Sequence, residues 1–179
     1  MCSMKALIFH GTMGSPNGNW FPWLQSELIS KGWDVDVPAF PTPEGQSLDN
    51  WINVVQNKDA DLFIGHSLGA TLILRLIEKK LINPQHAVLV SPVIQKINNE
   101  EYDLLNSSFI NDDFDWSIIK ATSTIMTILH GDDDPYVPVD HARQLSGFID
   151  APLHIIKDGG HLNAETGYTQ FPEILDFLP

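Results

Sequence analysis

The chain has 179 residues, of which 43% are hydrophobic and 18% charged, a composition typical of one folded domain and not of a disordered or fibrous chain. Its formal net charge of −13 repels phosphate backbones and anionic membrane surfaces, which excludes nucleic acid and membrane as expected partners. The single cysteine, Cys2, predicts an incidental thiol, and the absence of a signal peptide or membrane span predicts a cytoplasmic protein.

Short apolar runs alternate with longer amphipathic stretches along the chain, which is the pattern of βαβ units that build a parallel sheet. In chain order we predict a strand at Lys5–Phe9, a helix at Trp20–Ser30, a strand at Trp33–Val37, a helix at Leu48–Val55, a strand at Asp61–Ile64, a helix at Gly69–Lys80, a strand at Ala87–Val90, one or two helices within Ser91–Ser123, a strand at Thr124–Leu129, a helix at Val139–Leu145, a strand at Leu153–Ile156 and a helix at Thr169–Phe177. Because repeats and linkers are missing from the sequence, residues 1–179 are expected to form one domain. The expected architecture is a three-layer α/β/α sandwich with a parallel sheet of about six strands.

The sequence Gly65-His66-Ser67-Leu68-Gly69 matches G-x-S-x-G and lies between a predicted strand and a predicted helix. The motif alone is common, and a simple tight turn would also explain it. Its position between strand and helix favours a nucleophile elbow, in which a sharp turn exposes the serine hydroxyl at a helix N-terminus. Ser67 is therefore the candidate nucleophile.

A serine hydroxyl needs a nearby base, and the base needs a carboxylate to orient it. Three aspartates, Asp132, Asp133 and Asp134, follow the fifth predicted strand, and His161 follows the sixth after two glycines. Loops beyond the carboxyl ends of parallel strands share one crevice, and the order serine, aspartate, histidine fits the elbow motif. Spacing alone does not decide among the three aspartates.

The loop after the first predicted strand has the sequence His10-Gly11-Thr12-Met13-Gly14. If the first and third strands are neighbours, this loop can donate a backbone N–H to an oxyanion, together with the N–H of Leu68. We expect Thr12 to provide that second donor, although the sequence leaves Met13 as an alternative. The loop carries no Gly-rich nucleotide-binding pattern.

The remaining histidines and tryptophans give weaker signals. No histidine pair has metal-ligand spacing, so we expect neither a metal nor a cofactor. Trp20, Trp23 and Trp116 could line the mouth of a substrate site, where large aromatic side chains provide apolar contact. Tryptophans at helical spacing belong equally well to a core, and that alternative stays open.

These motifs together resemble those of the α/β-hydrolases. The opening His10-Gly11 with Asn19-Trp20 and Pro22-Trp23-Leu24, and the stretch Phe114-Asp115-Trp116, are similar to the small lidless serine hydrolases typified by retinoblastoma-binding protein 9. The resemblance implies a six-stranded sheet without a cap domain, and it implies that Asp134, which precedes Pro135, is the triad acid. The family's namesake associates with retinoblastoma protein through an L-x-C-x-E segment; this sequence has none, so the resemblance does not extend to that protein partner.

The sequence therefore predicts a serine hydrolase that acts on a small carboxylic ester, because a chain of this length has little material for a deep acyl tunnel. A peptidase or amidase would use the same three residues. A non-catalytic module that binds a protein or a small ligand would need only the fold.

Overall fold

The computed structural model describes residues 3–179, so the prediction for Cys2 lies outside the described residues. Six strands form one sheet in the order β2-β1-β3-β4-β5-β6, and every neighbouring pair is parallel. The strands are β1 (Lys5–Phe9), β2 (Asp34–Asp36), β3 (Leu62–His66), β4 (His86–Val90), β5 (Ile125–Gly131) and β6 (Leu153–Ile156). The predicted α/β fold with six parallel strands is confirmed.

Helices cover both faces of this sheet. They are α1 (Phe21–Ser30), α2 (Leu48–Val55), α3 (Leu68–Glu78), α4 (Glu100–Leu105), α5 (Ser107–Ile110), α6 (Trp116–Lys120) and α7 (Asp140–Ile149). Successive strand residues point to opposite faces, so Phe9 and Phe63 join the core beneath α2, α3 and α7, whereas Ile8 and Ile64 join a second core beneath α1. The sheet lies between these two cores and the helices that cover them, which gives the three layers of the sandwich.

Two segments differ from the sequence prediction. Residues 169–171 are not helical, and Pro172–Phe177 forms a 3-10 helix instead of an α-helix. Pro172 disfavours a helical conformation in the residue before it, so a helix does not run through this proline from residue 169. The buried side chains of Phe171 and Ile174 hold this segment against the second core. The stretch between β4 and β5 contains three short helices, one more than expected.

A buried arginine on α3 anchors the stretch between β4 and β5. The side chain of Arg75 is 5% exposed and pairs with Glu78 at 2.7 Å. Its Nε donates to the carbonyl of Phe109 at 2.9 Å, and its guanidinium lies 3.5 Å above the ring of Phe114. These contacts fix α5 and the following loop beside the sheet, so the stretch is a packed part of the domain and not a separate cap.

The strand order decides which loops meet. Strand β1 lies between β2 and β3 in the sheet. The chain adds β2 on one side of β1 and then β3 on the other side, and this reversal leaves a crevice beyond the carboxyl ends of β1 and β3. The loop after β1 and the turn after β3 both open into that crevice, as the sequence predicted if these strands were paired. Among residues 3–179, no helix has the length and apolar character that crossing a membrane requires.

Candidate active site

Ser67 occupies a strained turn between β3 and α3. Its φ of 56° and ψ of −121° lie where a non-glycine residue is rarely found. Its N–H donates to the carbonyl of Val90 at 2.8 Å, which holds the turn against β4. A Cβ on Gly65 would lie 2.6 Å from the nitrogen of Ala70, and a Cβ on Gly69 would overlap the carbonyl oxygen of Phe9. Both glycines of the motif are therefore required by close backbone approach.

His161 lies beside this turn and is bonded to one aspartate. Its Nδ1 lies 2.7 Å from Oδ2 of Asp134, and the side chain of that aspartate is fully buried. The other carboxylate oxygen, Oδ1, accepts the backbone N–H groups of Tyr136 at 2.8 Å and Val137 at 2.9 Å. This arrangement places the proton of His161 on Nδ1 and leaves Nε2 free to accept a proton.

The carboxylate of Asp134 is held in its ionised form. Burial by itself would raise its pKa, but the hydrogen bond and charge of His161, together with the N–H groups of Val137 and Tyr136, lower that pKa below its usual value. A buried carboxylate that stays ionised stabilises positive charge on the neighbouring imidazole. Asp134 is thus suited to orient His161 and to stabilise its protonated form.

The two other aspartates of the loop bind backbone. Oδ1 of Asp133 accepts the N–H of Gly160 at 2.7 Å, and Oδ1 of Asp132 accepts the N–H of Asp158 at 2.8 Å. These bonds hold the histidine loop, residues 157–161, against the aspartate loop, residues 132–134. The two loops lie so close together that a Cβ on Gly131 would overlap the carbonyl oxygen of Gly160. The sequence could not separate the three aspartates, and only Asp134 contacts the imidazole of His161 in the structure.

Backbone donors meet beside Ser67. A Cβ on Gly11 would lie 2.8 Å from Cβ of Ser67 and 3.2 Å from the nitrogen of Leu68, so the loop after β1 rests directly on the elbow. The N–H of Met13 is already bonded to Oγ1 of Thr42 at 2.8 Å. Within the described part of the chain, the N–H groups of Thr12 and Leu68 have no such acceptor. This difference favours Thr12 over Met13 as the second donor.

A polar network holds the loop of Thr12 in place. Oγ1 of Thr12 donates to Oδ1 of Asn106 at 2.5 Å and accepts from Nε2 of Gln46 at 3.1 Å. The same Nε2 lies 3.0 Å from Oδ1 of Asn106, and Oε1 of Gln46 accepts from Thr42 at 2.6 Å. The network links three separate loops, and neither Gln46 nor Asn106 carries a motif that sequence reasoning could have used.

Ser67 and His161 line the same cavity, which has a volume of about 210 Å³. That volume lies below the usual range of drug-sized ligand sites. Thr12, Asn19 and His66 also line it, and further polar side chains come from Tyr102, Asn106, Tyr136, Asn163 and Glu165. Sequence reasoning missed these last five residues. Tyr136, Asn163 and Glu165 lie two to four residues after predicted site residues and could have been found by that proximity, whereas Tyr102 and Asn106 gave no signal.

None of the three predicted tryptophans lines this cavity, so that prediction is wrong. Trp20 is fully buried and donates from Nε1 to the carbonyl of Leu162 at 2.9 Å, beneath the histidine loop. Trp23 is half-buried against the second core. Trp116 stacks between Phe114 and Phe148, at 4.5 Å and 4.9 Å between ring centroids. All three side chains pack against other side chains of the domain, which is the alternative that the sequence left open.

Two further histidines support the site from beneath. His66 is buried, and its Nε2 lies 2.8 Å from the carbonyl oxygen of His161, to which it donates. His130 is also buried; its Nδ1 lies 2.8 Å from the carbonyl oxygen of Gly131, and its Nε2 lies 3.8 Å from Oδ2 of Asp134. Burial is the main cause that lowers the pKa of both histidines, that of His66 to about 3. They act as neutral hydrogen-bond donors around the pair of His161 and Asp134.

Buried neutral histidines make the fold sensitive to acid. Burial lowers the pKa of His66 to about 3 and that of His141 to about 4. The unfolded chain takes up a proton at each position near pH 6.5, whereas the folded chain does so only at much lower pH. We expect the free energy of unfolding to fall as the pH drops from about 6.5 toward 4, by about 1.4 kcal/mol per pH unit for each of these histidines.

Urea unfolding at a series of pH values between about 7 and 5 measures this slope. The variant His141→Gln should reduce the slope by about one proton. An equal slope in the unchanged protein and in His141→Gln would contradict a lowered pKa of His141 in the folded chain.

The described residues contain no group of three or more histidine, cysteine, aspartate or glutamate side chains arranged to hold a metal ion. The chemistry of the cavity is that of a hydroxyl, an imidazole, a carboxylate and backbone donors. This set matches the needs of acyl transfer, in which a nucleophile, a base and an oxyanion site converge on one carbonyl.

Known proteins are similar to this chain in sequence and in fold. The family model described as serine hydrolase matches residues 6–179. The YdeN protein of Bacillus subtilis (strain 168) is 28% identical over 181 residues, which cover 97% of this chain and 94% of that protein. The crystal structure of the ydeN gene product superimposes with a TM-score of 0.88 at 26% identity, over 98% of this chain and 96% of that one.

Two other similarities are more distant. A YdeN-like protein of Pectobacterium atrosepticum has a TM-score of 0.74 at 18% identity, over 98% of this chain and 89% of that one, which shows the shared fold. The lysophosphatidylserine lipase ABHD12 of Bos taurus is 26% identical over 188 residues, covering 85% of this chain and 46% of that protein. The family match spans nearly the whole chain and confirms the resemblance that the motifs predicted. The protein belongs to the serine hydrolase family of the α/β-hydrolase superfamily.

Proposed function

We propose that this protein hydrolyses small carboxylic esters through an acyl-enzyme formed on Ser67. The observation that carries the proposal is the 2.7 Å bond between His161 and Asp134 in a cavity that Ser67 also lines. A base oriented by a carboxylate beside a strained, half-exposed serine is the arrangement that activates a hydroxyl for acyl transfer.

The mechanism follows from these positions. Nε2 of His161 takes the proton of Ser67 as Oγ bonds to the ester carbonyl carbon, and the N–H groups of Leu68 and Thr12 stabilise the oxyanion. The carbon–oxygen bond to the alcohol then breaks, and the alcohol leaves with the proton from His161. Water gives a proton to His161 and attacks the acyl-enzyme, which releases the acid and regenerates Ser67.

No hydrogen bond joins the Ser67 hydroxyl to His161 among the described residues, and bonds of this kind commonly tighten only when substrate is bound. We expect the Ser67 hydroxyl to form a hydrogen bond with Nε2 of His161 when substrate binds. The charge on the imidazolium that results is stabilised by Asp134.

The cavity supports a short acyl group, because about 210 Å³ leaves little room for a long chain. We expect kcat/KM for p-nitrophenyl esters to be highest for acetate to butyrate and to fall at least about tenfold for laurate. The ester series is measured by release of p-nitrophenol. The amide matched to p-nitrophenyl acetate is p-nitroacetanilide, which is measured by release of p-nitroaniline. Efficient turnover of laurate with none of acetate would contradict a small acyl group, and equal turnover of the anilide would favour an amidase.

A further inference from the structure

One wall of the cavity carries a single formal charge. Among the described lining residues, Glu165 is the only aspartate, glutamate, lysine or arginine. Its Oε2 accepts the hydroxyl of Tyr136 at 2.5 Å and lies 3.5 Å from Nδ2 of Asn163. No described residue bonds to Oε1, so that oxygen is free to receive another donor or a positive charge.

Two tyrosine rings stand beside this carboxylate. The rings of Tyr102 and Tyr136 lie 6.3 Å apart and are tilted by 59° to each other, and both residues line the cavity. The Glu165 hydrogen bond is the main cause that raises the pKa of Tyr136 to about 12, so the phenol stays neutral and keeps its proton toward the carboxylate. Aromatic faces next to a carboxylate attract ammonium groups through both the ring quadrupole and the full charge.

The position of Glu165 and the tyrosine rings relative to His161 decides which end of a substrate they contact. The ring of Tyr136 packs against the imidazole of His161 at 5.3 Å between centroids, and Glu165 follows His161 in the same loop. The leaving alcohol receives its proton from the histidine, so the alcohol portion of an ester lies on the histidine side of the bond that breaks. We therefore expect the carboxylate and the ring of Tyr136, with the ring of Tyr102 next to it, to face the alcohol portion and not the acyl portion.

We propose that Glu165, Tyr102 and Tyr136 form a subsite for a cationic group on the alcohol portion of the substrate, so that the preferred substrates are short-chain esters of amino or quaternary ammonium alcohols. This inference rests on the proposed ester hydrolysis. The net charge of −13 adds a long-range field that attracts cations and repels anions. The headgroup in the name of the ABHD12 relatives carries a phosphate, and the described residues that line this cavity include no lysine or arginine to bind it.

A matched pair of esters tests the subsite. Acetylcholine and 3,3-dimethylbutyl acetate have the same acyl group and nearly the same shape, and they differ by one positive charge. We expect kcat/KM to be about tenfold higher for acetylcholine at low salt, since the subsite is open to solvent and its attraction is partly screened. The preference should shrink severalfold at about 0.5 M salt. Acid release in a pH-stat measures both substrates without a chromophore.

Glu165→Gln removes the charge and keeps an oxygen that accepts the Tyr136 hydroxyl. The ratio of the two kcat/KM values in this variant should fall to about one to two, and because both esters are measured on the same variant, any change in folding cancels. Glu173→Gln removes an equal charge from an exposed position outside the cavity lining and should keep the ratio of the unchanged protein.

Equal hydrolysis of the two esters by the unchanged protein would overturn the cationic subsite and leave the proposed ester hydrolysis standing. A preference that survives in Glu165→Gln would overturn the role of Glu165. Failure to hydrolyse either ester would overturn both the subsite and the proposed function.

Discussion

Replacing Ser67 by alanine is expected to reduce kcat for p-nitrophenyl acetate by about 10⁵-fold, because no other group at the elbow can form the acyl-enzyme. Steady-state hydrolysis by purified protein measures the loss. The free energy of unfolding should stay equal or rise slightly, since alanine removes a hydroxyl that takes no part in the packing of the turn. The strained backbone of Ser67 remains, because its φ of 56° is imposed by neighbouring β3 and α3.

A surface serine provides the matched control for this variant. Ser30→Ala removes an exposed hydroxyl at the end of α1, far along the chain from the elbow, and should retain full activity. If Ser67→Ala keeps more than about one hundredth of the activity, hydrolysis does not pass through this serine.

Replacing Asp134 by asparagine is expected to lower kcat by about 10⁴-fold. An amide in this position offers a donor to Nδ1 and reverses the tautomer of His161, so the proton moves to the nitrogen that must accept one from Ser67. The neutral side chain also stabilises the protonated imidazole less than a carboxylate does. The pH–rate profile of the remaining activity should shift, which a loss of folding alone would not cause.

The adjacent aspartates are controls within the same loop. Asp132→Asn and Asp133→Asn each weaken one carboxylate bond to the backbone of the histidine loop, a loss of about 1 kcal/mol in unfolding free energy. Both variants should keep most of the activity, because Nδ1 of His161 bonds to Asp134 alone of the three. A loss in Asp133→Asn as large as that in Asp134→Asn would contradict this division of roles.

The sequence predicted the sheet well because its signals are local. Five strands were marked by apolar runs and β2 by the alternating residues of Trp33–Val37. The strand-to-helix position of Ser67 was readable from the residues on either side. The rule that parallel strands bring their carboxyl ends together predicted that Ser67, the loop of three aspartates and His161 share one crevice. The choice of Asp134 among those aspartates came from the family resemblance. The helix predicted for Thr169–Phe177 was wrong because Pro172 and the burial of Phe171 outweigh the amphipathic pattern.

Details of the site depended on contacts between residues far apart in sequence. The choice between Thr12 and Met13 turns on Thr42, which occupies the N–H of Met13 from a loop 29 residues away. The tryptophans were placed at the cavity mouth by residue type alone, whereas the packing of Trp20 under Leu162 is visible only in three dimensions. The pairing of Tyr136 with Glu165 likewise joins two loops that no local pattern connects.

Incubation with a fluorophosphonate probe tests whether Ser67 is an activated nucleophile, since an activated serine displaces fluoride from phosphorus and stays covalently labelled. The adduct is located by mass spectrometry of proteolytic peptides, with Ser67→Ala treated in parallel. We expect one phosphonyl group on Ser67 and no labelling of the variant. A folded protein that stays unlabelled would contradict an activated Ser67 and would favour a binding module built on the same fold.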